Sequence, residues 1–194
     1  MKKIIVAFSI LFILIIGGFI WKDYFWTGRI CCGIPNLTGP ATADYKDAAY
    51  QIEGEIVKLT NGLAEKDPSS VNVGGSGGSD SATRLVTRYF GNEISGDFNE
   101  DGFKDAAFFL TQEAGGSGTF FYAAVALGSA DGYLGTNAVF LGDRISPQPV
   151  EWRDGQLIFN YADRAEGEPI TARTSIGVSK YFQIKDSQLE EVEK

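Results

Sequence analysis

Gly96-Asp97-Phe98-Asn99-Glu100-Asp101-Gly102-Phe103-Lys104-Asp105-Ala106-Ala107-Phe108-Phe109-Leu110 joins an acidic loop to an unbroken apolar run, and the fold is read outward from it. Five consecutive apolar residues, Ala106 to Leu110, leave no polar face and predict a buried strand. Counted from Asp97, the side-chain oxygens of Asp97, Asn99, Asp101 and Asp105 fall at positions 1, 3, 5 and 9, with Gly102 at position 6. Ca²⁺ takes roughly 6–8 oxygen ligands, and a chain wound tightly about it presents alternate side chains inward, with Gly permitting the sharp turn. In that arrangement Phe103 contributes its backbone carbonyl. The same residues also suit a solvated Asp/Asn/Gly turn without metal.

The loop is not an EF-hand, because position 12 is Phe108 where that motif needs a bidentate Glu. A DxNxDGxxD loop, preceded by Gly and running into an apolar strand, resembles the calcium loop of FG-GAP repeats, the blades of integrin-α-type β-propellers. The resemblance covers Gly96 to Leu110 and implies a mainly structural Ca²⁺ held by Asp97, Asn99, Asp101, Phe103 and Asp105. The chain has one such loop and no blade-length repeat, so a propeller is not implied.

Around the loop the pattern is strand, turn, strand. Thr83 to Phe90 alternates and feeds the loop, Asp105 to Thr111 leaves it, and Thr119 to Leu127 returns after Gly115-Gly116-Ser117-Gly118 as the second half of a central hairpin. Further strands are predicted at Tyr50 to Ile52, Glu55 to Leu59, Thr136 to Leu141, Val150 to Arg153, Gln156 to Tyr161, Thr171 to Ile184 and Gln188 to Val192, punctuated by Gly, Asn and Asp turns. Only Thr42 to Tyr50 hints at a helical period. The expected fold is mainly β, an antiparallel sheet domain, with sandwich and open barrel both left open.

The N-terminus predicts a membrane anchor. Ile4 through Ile20 is uncharged and apolar apart from Ser9, Gly17 and Gly18, and residues 4–21 would make about 27 Å of helix, close to a bilayer core. Trp21, Tyr24, Phe25 and Trp26 form an aromatic belt. A small-x-small cleavage site and a lipobox are both absent, which favours an uncleaved anchor over a signal peptide. The organisation expected is anchor 1–26, linker 27–43 and β domain 44–194, with Pro68 to Ser81 as a Gly/Ser-rich loop. Lys2 and Lys3 against Lys22 and Arg29 favour N-in only slightly; a calcium loop works best where calcium is millimolar, which places the domain outside the cytosol.

Composition excludes several chemistries. A formal charge of −8, with two of the lysines before the anchor, argues against nucleic acid. With no histidine, Ser-His-Asp and Cys-His catalysis and His-ligated zinc are removed together. Two adjacent cysteines, Cys31 and Cys32, point to intermolecular pairing or to free or acylated thiols, since a vicinal bridge is strained. Gly74 to Ser79 lacks the Lys-Ser/Thr of a phosphate loop. A carboxylate-dependent glycosidase remains formally open through Glu93, Asp143, Asp163, Glu166 and Glu168, although nothing in the sequence pairs them. Phe120, Phe121, Tyr122, Tyr133, Trp152, Phe159 and Tyr161 lie on predicted strands, where core packing is expected; an exposed row would instead make a binding face.

RYFGNE (88–93), GGSGTFFY (115–122), LGDR (141–144) and NYADRAEGEP (160–169), with the acidic loop between the first two, resemble a group of small bacterial envelope proteins over roughly residues 45 to 193. That resemblance implies an extracytoplasmic β fold and no activity. The expected function is a membrane-anchored module that binds a glycan or protein partner, with a carboxylate-dependent envelope hydrolase as the alternative.

Overall fold

Twelve strands are described: β1 (Ala49–Ile52), β2 (Glu55–Lys58), β3 (Leu63–Lys66), β4 (Leu85–Gly96), β5 (Asp105–Glu113), β6 (Phe120–Ser129), β7 (Gly132–Gly135), β8 (Asn137–Asp143), β9 (Ser146–Arg153), β10 (Gln156–Asp163), β11 (Ile176–Lys185) and β12 (Gln188–Val192). The computed structural model describes residues 39–66 and 84–193. The anchor expected over residues 1–26, Cys31 and Cys32, and the Gly/Ser stretch 68–81 lie outside the described residues, as does most of the linker 27–43. Among the described residues no helix is long and apolar enough to cross a membrane.

The apolar runs of β5 and β6 form the centre. They pair antiparallel from Ala106↔Ala126 to Gln112↔Phe120, and each is buried on both faces. On one face Ala107, Phe109, Phe121, Ala123, Val125 and Leu127 pack against Leu157, Phe159, Phe182 and Leu189 of a second sheet. On the other, Ala106, Phe108, Leu110, Tyr122, Ala124 and Ala126 pack against Tyr50, Ile52 and Leu59. From Ala106 to Leu110 the strand has core on both sides and no position that favours a polar residue, which accounts for the missing alternation.

Both expected architectures occur. The larger sheet, in the order β2-β1-β8-β6-β5-β4-β3 with β7 on β6, curls until its edges approach, and Lys66 Nζ meets Glu55 Oε2 across the gap at 2.7 Å. Its interior holds the aromatic cluster of Tyr45, Tyr50, Tyr89 and Phe108. The smaller sheet, β12-β11-β10-β9, packs sandwich-fashion on the outside of that open barrel.

Pairing is antiparallel except between β1 and β8, which run parallel at Gln51↔Asn137 and Ile52↔Ala138. The sheets are thus mainly antiparallel, as expected, with this one parallel contact added. The helical hint over residues 42–50 corresponds to a three-residue 3₁₀ turn, Tyr45–Asp47, capped by Asp44, between the Thr42↔Tyr133 bridge and β1. The strand expected from Thr171 starts at Ile176, because the preceding loop is held by side chains instead of a ladder. Gly135 must lack a side chain: a Cβ there would lie 2.1 Å from the Ala49 carbonyl oxygen, where β7 crosses the start of β1.

Candidate metal loop and neighbouring charged clusters

β4 delivers the chain to the loop and β5 removes it, so both loop ends are fixed by the ladder that closes at Gly96↔Asp105. Phe98 turns inward, buried beside Trp152 with ring centroids 5.0 Å apart, which pins the loop to β9. Glu100 and Gly102 adopt φ of 61° and 87°, and these two left-handed residues wind the chain back on itself.

The winding brings loop oxygens onto the loop's own amides. Asp97 Oδ1 accepts from Asp101 N at 3.1 Å and Oδ2 from Gly102 N at 2.9 Å. Asn99 Oδ1 accepts from Asp101 N at 3.3 Å, and Asp101 Oδ1 accepts from Phe103 N at 2.8 Å. Asn99 Nδ2 donates to Asp101 Oδ2 at 2.8 Å. These are the Asx-type bonds that let short polar side chains organise turns.

Asp105 is placed differently from the other sequence-predicted ligands. It is fully buried, its Oδ2 accepting from Phe98 N and its Oδ1 from Gly128 N, both at 2.8 Å. It therefore staples the loop to β6. Burial pushes its carboxyl upward in pKa, opposed by those two backbone donors. Gly128 is fitted to this contact, since a Cβ there would sit 2.4 Å from the Lys104 carbonyl oxygen. Asp97, Asp101 and Phe103 are exposed and Asn99 is half-buried. Among the described residues no group of three or more Asp, Glu, Cys or His is gathered about one metal position.

Two further clusters surround carboxylates named from the sequence. Glu93 Oε2 accepts from the hydroxyls of Tyr45, at 2.6 Å, and Tyr89. Those two donors hold its carboxyl below the usual range, while burial and Glu93 push the Tyr45 phenol up to about 12. Lys46 Nζ lies over the Tyr89 and Tyr45 rings at 4.6 and 5.4 Å. No local motif announces this set, because Tyr45 and Glu93 are 48 residues apart. Beside Glu93 the β4–β5 ladder shifts between Tyr89 and Ile94, where Gly91 and Asn92 both have positive φ.

Asp143 is paired with Arg144 at 2.8 Å and accepts from Thr119 N, and the Arg144 bond holds its carboxyl low. Arg164 donates to the carbonyls of Ala172, Asp143 and Arg144, clamping the loop that contains Glu166 and Glu168. Asp163 ends β10 within 3.7 Å of Arg164. A glycosidase acid needs a carboxyl raised toward neutrality, and Glu93 and Asp143 are both shifted the other way. Of the aromatic residues named from the sequence, Phe121, Tyr122, Phe159 and Tyr161 are buried, and Phe120, Tyr133 and Trp152 pack half-buried against the two cores. No protein-family model, curated protein or solved structure matches this chain, so the site is read from its own geometry.

Proposed function

We propose that the chain is a membrane-anchored extracytoplasmic β module whose Asp97–Asp105 loop takes one structural Ca²⁺, and whose surface engages a glycan or protein partner. The observation that supports the metal is the winding of the loop at Glu100 and Gly102, which turns Asp97, Asn99 and Asp101 onto one short stretch of backbone between two fixed strand ends. Each of these oxygens has spent one lone pair on an N–H and keeps another for a cation. The donor set is all oxygen, the chemistry a hard cation takes. Binding tightens the loop about the ion and offsets repulsion among Asp97, Asp101 and Asp105. No activity follows from it, because the side chains around the loop are spent on structure: Phe98 on Trp152, Asp105 on two amides.

Thermal unfolding with calcium and with chelator tests this reading. At an extracellular-type Kd of order 10⁻⁴–10⁻³ M, calcium at ten times Kd adds about RT ln 11, or ~1.4 kcal/mol. For a domain of this size that raises Tm by roughly 3–6 °C. Asp101→Ala abolishes the rise. Equal melting temperatures of the unaltered chain in calcium and in chelator would reduce the loop to a hydrogen-bonded turn.

A further inference from the structure

The two edges of the smaller sheet are dressed. On β12 the outward-facing backbone of Leu189 is met by a side-chain amide: Asn137 Nδ2 donates to Leu189 O at 3.0 Å and Leu189 N donates to Asn137 Oδ1 at 2.7 Å. On β9, Pro147 and Pro149 have no N–H to offer, and the Gln148 carbonyl accepts from Asn92 Nδ2. Bare edges recruit other strands, and these are the ordinary devices against that.

The seam of the barrel carries charges on two short strands, but among the described residues no proline and no side-chain amide on its outward backbone. β1 and β2 are joined by a two-residue turn at Glu53 and Gly54, with φ of 51° and 87°, so Ile52↔Glu55 is a hydrogen-bonded pair and Tyr50↔Val57 the next. The N–H and C=O of Ile56 and Lys58 consequently face away from β1. Gln51, opposite Ile56, confirms this register by donating its N–H to Thr136 on the other side. On β3, Tyr89 N donates to Gly62 O, which makes Ala64↔Thr87 a bonded pair and turns the backbone of Leu63 and Glu65 away from β4. Leu63 and Thr60 exchange both of their bonds, starting a β2–β3 hairpin. The next rung would be Lys58 to Glu65, and it is not made: β2 and β3 are not paired.

Beyond that rung the hairpin splays into a 190 Å³ cleft lined by Val57, Ala64, Leu85 and the buried Thr87, with Ile56 64% exposed at its rim. The backbone groups of Ile56, Lys58 and Glu65 face it.

We infer that this seam is a strand-insertion site for a free extended segment of a partner polypeptide, which completes the barrel. The geometry selects the occupant. A strand here meets β2 at Ile56 and Lys58 on one side and β3 at Glu65 on the other, so both its edges are engaged and it comes from a chain segment outside any sheet. All described strands of this chain are already paired, which argues against a folded second copy. An inserted strand sets β2 and β3 roughly 9.6 Å apart. Glu55 is compensated by Lys66 and Glu65 by Arg84, leaving Lys58 as the lining charge without an ion pair among the described residues. The occupant is therefore proline-free and small-apolar on its inward side, with one carboxylate near Lys58. The site is separate from the calcium loop, so binding persists in chelator.

The test uses the full chain and fluorescein-labelled hexapeptides with the residues Asp-Val-Thr-Val-Thr-Gly, in that order and reversed, followed by anisotropy and by hydrogen exchange. Saturable binding of either order, weakened at least tenfold by N-methylation of alternate peptide amides, is expected. Exchange at Ile56, Lys58 and Glu65 slows on binding, while Val57 and Ala64 are protected throughout. Ile56→Pro removes a seam-facing N–H without touching the β1 ladder and abolishes binding; Glu65→Pro does the same from the other wall. Absence of binding at millimolar peptide, or binding that leaves those three amides exchanging freely, overturns the proposal. So does protection in the chain alone, whether it accompanies a dimer in sedimentation or disappears when residues 67–83 are replaced by a Gly-Ser linker of equal length.

Discussion

Asp105→Asn separates the role of the buried carboxylate as a staple from its role as a calcium ligand. Asn has the volume of Asp but one acceptor oxygen, so either Phe98 N or Gly128 N is left facing an NH₂ group at a distance now 2.8 Å. Loss of a charge-assisted bond costs about 1.5–3 kcal/mol, and stranding a buried N–H about 1–3 kcal/mol. Removing a carboxylate that burial disfavours offsets part of this, leaving a net loss of about 2–4 kcal/mol. Tm falls by roughly 5–15 °C. The assay is urea and thermal unfolding followed by fluorescence of Trp152, which packs on Phe98 at 5.0 Å and reports directly on the stapled loop. Run in chelator, the loss belongs to the staple; any additional loss in calcium belongs to the ion. A change below about 0.5 kcal/mol in chelator would refute the staple.

The remaining predictions concern acid and close packing. The Tyr45 and Tyr89 hydroxyls hold the Glu93 carboxyl below its ordinary value of 4.5, so their contribution is complete above that pH and is lost as pH falls through the lower folded value. Urea midpoints measured from pH 6 to 3 should fall more steeply in the unaltered chain than in the Tyr45→Phe, Tyr89→Phe double variant. Gly135→Ala puts a methyl 2.1 Å from the Ala49 carbonyl and 2.8 Å from the Tyr50 ring, which costs about 3 kcal/mol and lowers Tm by roughly 6–12 °C in a calorimetric scan. A loss under 1 kcal/mol there would mean that β7 is free to move away from β1.

The sequence makes the central hairpin legible because its signal is local. Ala106 to Leu110 is apolar at every position, and only a strand with core on both sides needs that. The turn at Glu100-Asp101-Gly102 is equally local, since a left-handed pair next to Asp and Asn needs nothing from elsewhere. What is not legible depends on partners far along the chain. Asp105 stands at the ninth loop position and reads as a ligand, yet one of its two amide partners, Gly128, is 23 residues away. The parallel contact of β1 with β8 joins segments that have no shared pattern. Sandwich and open barrel cannot be separated in the sequence for the same reason. Alternation says which residues are buried, and β5 and β6 serve both cores at once.

Asn137 shows how a single amide can set the order in which a fold is completed. Its side chain copies a peptide unit and is read by Leu189, 52 residues later, at the last strand of the described chain. The barrel wall at β8 is thus finished by a segment made after nearly everything else. A chain that stops before Gln188 loses the buried Leu189 from the core between the sheets, and it also carries a side-chain amide whose donor and acceptor have lost their partners. The cost of losing β12 is then felt inside the barrel wall, where the parallel pairing of Gln51 with Asn137 begins. In this architecture β12 acts as a latch that ties the smaller sheet to the barrel wall.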